Sequence, residues 1–147
     1  MISVAFQYSS RRITKKETQR IVCLVLSGEE VKKKSISVVY VGNKYMQRMN
    51  RRFLNHNYPT DVIAFPLDQD QGIQGELYVN IERVSSQAKE FGVTILNELR
   101  RLLIHGTLHL SGYSDTDVQS KARMTACENK YLAQLEKKAR EHARKNY

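Results

Sequence analysis

The chain has 147 residues, 41% of them apolar and 27% charged, with only 2 prolines. That suits one sizeable core rather than two and excludes a wholly disordered chain. No segment approaches the roughly 18 apolar residues of a membrane span, and "MISVAFQYSSRR" lacks a signal peptide's basic and apolar regions, so a soluble cytoplasmic protein is expected. The formal net charge of +9 makes a polyanion the natural partner, nucleic acid before an anionic membrane surface.

In chain order, the alternation in "ISVAFQY" predicts a first strand. Thr14 followed three residues later by Glu17 is a capping box, opening an amphipathic helix that should run to Ser27-Gly28. After the charged linker "EEVKKK", "SISVVYV" places Ile36, Val38 and Tyr40 on one face of a second strand. Asn43 is positioned to cap a helix to about Leu54, carrying Arg48, Arg51 and Arg52. "NYPTDVIAFP", bracketed by Pro59 and Pro66, reads as a strand near a sheet edge, because proline cannot donate to a ladder. A polar turn, "LDQDQGIQG", leads to a fourth strand at "ELYVNIE".

"SSQAKEFG" then predicts a short helix stopped by Gly92, and residues 93–111 a central helix. Ser114, with Asp117 three residues on, should open the last helix, with Met124, Cys127, Tyr131, Leu135 and Ala139 along one face. Cys23 and Cys127 both sit among apolar residues at helical spacing, so free buried thiols in a reducing compartment are expected. Four strands and about five helices, not in a regular βαβ series, predict an α+β fold. It would be a single domain over 1–147, with helices around one four-stranded mixed sheet.

The central helix carries the chemistry. In "VTILNELRRLLIHGTLHLSG" the leucines and isoleucines occupy two nearly opposite sides, so the helix should be largely enclosed. Glu98, Arg101, His105 and His109 form a band between those sides. Residues four apart point the same way, about 6 Å along the axis, so both imidazoles can reach one ion. Gly112 lets the chain turn out of the helix, and Asp115, six residues past His109, can return a carboxylate to the same point. Two imidazoles and a carboxylate suit Zn2+ with an open coordination position, and Ni2+ or another transition ion nearly as well.

"HGTLHLSGYSD", preceded in order by "PTDVIAFP" and "GELYVN", closely resembles the YbeY-type endoribonucleases. That family's pattern reads His-Gly-x-Leu-His-Leu-x-Gly-Tyr-Asp-His, after Thr-Asp-Val-Leu-Ser-Phe-Pro and Gly-Asp/Glu-Ile. The resemblance implies one bound zinc in a metzincin-like layout on the central helix. It also implies single-strand-specific endoribonuclease activity in 16S rRNA 3′-end maturation and ribosome quality control. The partners implied are 16S rRNA, the small ribosomal subunit and ribosomal proteins, with no membrane and no nucleotide cofactor. The chain departs from the pattern twice. Asp115 stands where the family has its third histidine, a substitution that keeps a competent zinc ligand. Leu54 stands where the family usually carries an arginine, and Arg51 or Arg52 is left to supply that charge from a neighbouring position.

The mechanism implied is metal-assisted phosphodiester hydrolysis. Gly106 occupies the place where a metalloprotease keeps its glutamate, which weighs against a metal-dependent peptidase. Glu76, in "GELYVN", is the family-motif candidate for a base. Arg48, Arg51, Arg52, Arg100, Arg101 and the tail from Lys137 to Lys145 can contact phosphates, while Tyr8, Tyr58 and Tyr78 are available to stack bases. Ser111 and Tyr113 either touch substrate or shape the exit turn, and His56 and His142 lie outside the metal pattern. The competing reading is a non-catalytic ribosome-assembly factor whose metal is structural.

Overall fold

The computed structural model describes residues 1–32, 34–55, 60–67 and 72–145. The elements run β1 (Ile2–Phe6), α1 (Lys15–Gly28), β2 (Lys34–Val41), α2 (Asn43–Met49), a π-helical turn (Asn50–Leu54), β3 (Val62–Pro66), β4 (Ile73–Asn80), α3 (Ile81–Phe91), α4 (Ile95–Leu110) and α5 (Val118–Lys145). The strands form one mixed sheet in the order β1-β2-β4-β3. β1, β2 and β4 are parallel, and β3 runs antiparallel to β4 as an edge strand, ending on Pro66. The expected four-stranded mixed sheet with about five helices is borne out by the described residues, which form four strands and five α-helices. Among the described residues no helix is long and apolar enough to cross a membrane.

Strand alternation divides the sheet into two unlike faces. Ile36, Val38, Tyr40, Leu77 and Val79 point into the main core, where α1, α3, α4 and α5 bury them completely or nearly so. The opposite face carries Val39, Val41, Ile63, Phe65 and Tyr78, covered by Met46, Met49 and Tyr45 of α2 and, at Phe65, by Phe53 of the π turn. α4 crosses the main face as the central helix, and Leu99, Leu103, Ile104 and Leu108 are fully buried along it. Its enclosure on two sides agrees with the pattern of its leucines.

Local chemistry sets the boundaries. Thr14 caps α1 by accepting from the Glu17 amide at 3.1 Å, and Thr94 caps α4 through the Asn97 amide at 3.1 Å. The first departure from expectation is Asn43, which opens α2 while Gly42 holds the cap position. Its side-chain oxygen is engaged instead by Asn80 Nδ2 at 2.8 Å, a bond across to the end of β4. α2 ends at Met49, and the π turn carries the chain on to Asn55 at φ +56°. The second departure is the start of α5, where Asp117 rather than Ser114 is the cap. Asp117 Oδ1 accepts from the Ser120 amide at 2.7 Å, and Ser120 Oγ accepts from the Asp117 amide at 3.1 Å. α3 likewise begins earlier, at Ile81, because Asn80 caps it through the Arg83 amide.

Candidate metal centre

His105 and His109 project from one side of the last turns of α4, where helical spacing had put them. The exit from α4 then brings the third group back. Gly112, at φ +104°, allows a Schellman turn in which the Tyr113 amide donates to Leu108 O and the Gly112 amide to His109 O. The chain reverses, and Asp115 Oδ2 comes to 3.4 Å from the Nε2 atoms of both His105 and His109. The two Nε2 atoms lie 2.9 Å apart. All three candidate ligand atoms fall within 4.8 Å of one another, the kind of cluster that holds a metal ion.

The chemistry around the cluster fits a cation. His109 Nδ1 sits 3.0 Å from the carbonyl oxygen of Tyr113, which can only accept, so this nitrogen carries the proton. His105 Nδ1 sits 2.8 Å from Glu128 Oε2, and the carboxylate fixes the same tautomer there. In the neutral rings both Nε2 lone pairs therefore converge on Asp115, leaving three acceptors with no donor among them. Two lone pairs 2.9 Å apart repel unless a positive charge lies between them. Tetrahedral ligands about 2.1 Å from a zinc ion lie about 3.4 Å apart, the length of the two edges to Asp115, while the edge between the histidines is shorter at 2.9 Å. A proton is the alternative occupant. Burial pulls the His105 imidazole down, but its hydrogen bond to Glu128 and the charges of Glu128, Asp115 and Asp61 outweigh burial and leave it above the usual histidine range.

The cluster opens on a cleft of about 510 Å³ lined by Leu54, Thr60, Asp61, Val62, Pro66 and Gly106 among others. Gly106 lets α4 lie close to the sheet, since a Cβ there would meet Leu77 Cδ2 at 2.8 Å. β3 forms the far wall, its head fixed by the Asn80 amide on Asp61 O at 2.8 Å and by Asn80 Nδ2 on Thr60 O at 3.1 Å. Asp61 and Asp115 on its walls add negative charge that favours a cation at the cluster.

Other expected site residues are distributed differently. Glu76 lies on the sheet face turned away from α4, between Gly75 and Leu77, which face it. Its Oε2 accepts from Tyr78 Oη at 2.6 Å, so the structure does not bring Glu76 to the histidines. Arg51 and Arg52 are exposed on the π turn, and the cleft wall next to them is Leu54. Arg101 does not await phosphate. It donates to Glu128 Oε1 at 3.0 Å and to Asn129 Oδ1 at 3.1 Å. Arg100 and Lys138 line a separate groove of about 580 Å³ with Arg20 and His142. Ser111 Oγ is bound back to Thr107 O at 2.9 Å, so it shapes the exit turn, as does Tyr113. Cys23 and Cys127 are free and half-buried. His56, Pro59 and Tyr58 lie outside the described residues.

Residue by residue reading missed Glu128, Asp61 and Glu29. Glu128 follows Met124 and precedes Tyr131 and Leu135 at core spacing on α5, an acid on a buried stripe, and that was the available signal. Glu29 accepts from Tyr113 Oη at 2.6 Å and from Tyr131 Oη, tying the metal-side turn to the end of α1. Nothing local in the sequence pairs residues 84 positions apart.

Comparison with known proteins agrees with this geometry. The family model described as Endoribonuclease YbeY matches residues 4–136. The chain belongs to the YbeY family. Among relatives bearing the name Endoribonuclease YbeY, that of Chloroherpeton thalassium is 38% identical over 125 residues, covering 85% of this chain and 89% of the relative. The Chlorobaculum parvum protein is 37% identical over 130 residues, covering 88% and 92%. The solution structure of TM1509 from Thermotoga maritima superposes with a TM-score of 0.73 at 26% identity, covering 97% of this chain and 93% of that one. A YbeY chain with a His-His-Asp cluster able to bind metal is equipped as a metal-dependent hydrolase.

Proposed function

We propose that this YbeY chain is a metal-dependent endoribonuclease specific for single strands, acting in 16S rRNA 3′-end maturation and in ribosome quality control. The observation that carries the reading is the convergence of His105 Nε2, His109 Nε2 and Asp115 within 4.8 Å, backed by fixed tautomers. We assign these three as ligands of one ion, zinc before nickel, in a metzincin-like layout: two histidines one turn apart, then a glycine turn to a third ligand. The chain acts as a single domain over 1–147, in the cytoplasm, on the small ribosomal subunit and beside its proteins.

Bound between these ligands, the ion would supply Lewis-acid activation of the phosphodiester or of the attacking water. Glu128 holds His105 and Tyr113 O holds His109, so neither ring has to reorient when RNA enters. Among the described residues, Asp61 is the acid lining the cleft outside the ligand set, and it replaces Glu76 as our candidate proton acceptor. Arg51 and Arg52 act from the π turn on phosphates outside the cleft rather than on the scissile one. Leu54 on the cleft wall, where the family usually has arginine, supports the second reading of a non-catalytic assembly factor with a structural metal.

One experiment separates the two readings: metal content, thermal unfolding and cleavage of single-stranded RNA for the parent and for His109→Ala. The endoribonuclease reading expects near one ion per parent chain. It expects His109→Ala to stay folded, lose the ion and cleave more than about a hundredfold more slowly. Unchanged cleavage overturns the catalytic role, and global unfolding of the variant turns the assignment to a structural ion.

A further inference from the structure

The sheet face turned away from α4 carries a ladder of partly exposed aromatic rings. Tyr45 stacks beside Tyr78 with centroids 6.3 Å apart, Tyr78 meets Phe65 edge-on at 5.9 Å, and Phe65 meets Phe53 edge-on at 5.7 Å. Two of these rings carry a guanidinium, Arg48 lying 5.8 Å from the Tyr45 centroid and Arg52 lying 5.3 Å from that of Phe53. Phe53 is 57% exposed, so the core does not explain why a phenylalanine stands there. Leu54 follows it directly and, with Pro66 at the end of β3, lines the metal cleft. The ladder and the cleft are thus two sides of one sheet edge.

Resting on the endoribonuclease reading, we infer that Tyr45, Tyr78, Phe65 and Phe53, with Arg48 and Arg52, form a stacking platform for the unpaired bases of an RNA strand whose phosphodiester enters the metal cleft. Rings interleaved with guanidinium groups match the repeating base and phosphate of a single strand, and a duplex hides the faces that such rings would stack on. An apolar protein partner would be matched by the rings but not by the arginines among them. Position adds a second reason: Arg48 near the end of α2 and Arg52 on the π turn come just before Leu54 of the cleft wall, where they can grip the backbone beside the cleft. Glu76 gains a role in this arrangement: its carboxylate holds Tyr78 Oη and so sets the plane of that ring.

The test uses the full chain carrying His109→Ala, to block cleavage, and a single-stranded RNA of about twelve nucleotides with 2-aminopurine at internal positions. Anisotropy reads affinity and fluorescence quenching reads stacking. Phe53→Ala should weaken binding roughly tenfold and remove most of the quenching, while Phe53→Tyr should retain both. Arg52→Ala should lower the slope of log affinity against log salt by about 1. An abasic strand should bind the chain with and without Phe53→Ala equally well. The proposal is overturned if Phe53→Ala leaves affinity and quenching unchanged, or if abasic and base-bearing strands lose affinity alike. It is also overturned if Phe53→Ala dissolves a self-association of the chain while RNA affinity stands. These readouts need no catalysis, so binding and quenching by the His109→Ala chain, together with no cleavage by the parent chain, retires the endoribonuclease reading and leaves the platform. Normal cleavage by Phe53→Ala with both histidines in place retires the platform alone.

Discussion

The two faces of the sheet have been built to different rules. On the α4 side, β4 contributes Leu77 and Val79, both fully buried, and four helices close over them. On the other side, the same strand contributes Glu76 and Tyr78, and α2 covers them only in part. The closed face packs α4 into the core, the kind of support that holds two imidazoles in place for a metal site. The open face spends its aromatic residues at the surface. A sheet four strands wide can serve both ends because alternate side chains answer to different neighbours.

The comparison can be broken most forcefully at adjacent residues of β4. Leu77→Ala, on the closed face, should destabilise the chain by about 2–5 kcal/mol in urea unfolding, whereas Tyr78→Leu, on the open face, should cost about 1 kcal/mol or less. Similar losses at both positions would erase the distinction. Next in size is Glu128→Gln, which keeps the shape of the His105 partner and removes its charge. It should weaken metal binding about 10- to 100-fold in a competition titration with a chromogenic chelator. Thr14→Ala, at a cap far from both faces, should cost about 1 kcal/mol and leave metal affinity alone.

A smaller effect concerns Glu98, buried on α4, whose carboxyl is raised above the usual range first by burial and then by Asp61 and Glu128 against Arg101. The folded chain therefore holds this proton to higher pH than the unfolded chain does. Stability from this group is fully present below the ordinary glutamate range and falls as pH rises towards the folded-state value. Glu98→Gln should flatten that part of the stability-pH profile and raise the neutral-pH urea midpoint, measured by circular dichroism. A variant profile parallel to the parent's would show that the acid is ionised freely in place.

What the sequence made legible was what neighbours in the chain decide. The capping box at Thr14, the enclosure of α4, the edge character of β3 before Pro66 and the pairing of His105 with His109 all follow from spacing within a few residues. Glu76 shows the opposite case. Its motif suggested a site role, yet strand alternation with Leu77 already put it on the face away from α4. Glu128 showed only as an acid on a buried stripe and Glu29 not at all, since their partners are 23 and 84 residues away and meet only when α1, α4 and α5 pack. Asn43 was misread because its side chain had a better offer across the sheet from Asn80.

Tyr113 ties two distant parts of the molecule with one residue: its carbonyl faces His109, and its hydroxyl is held by Glu29 just past α1. Opening the Asp115 turn would therefore also break the hydrogen bond from Tyr113 Oη to Glu29, next to the last turn of α1. Release of an ion held by Asp115 would then be coupled to local loosening where α1 ends. Amides near Val25 to Val31 should then exchange with solvent more slowly when the ion is bound, although none of them lies within reach of it.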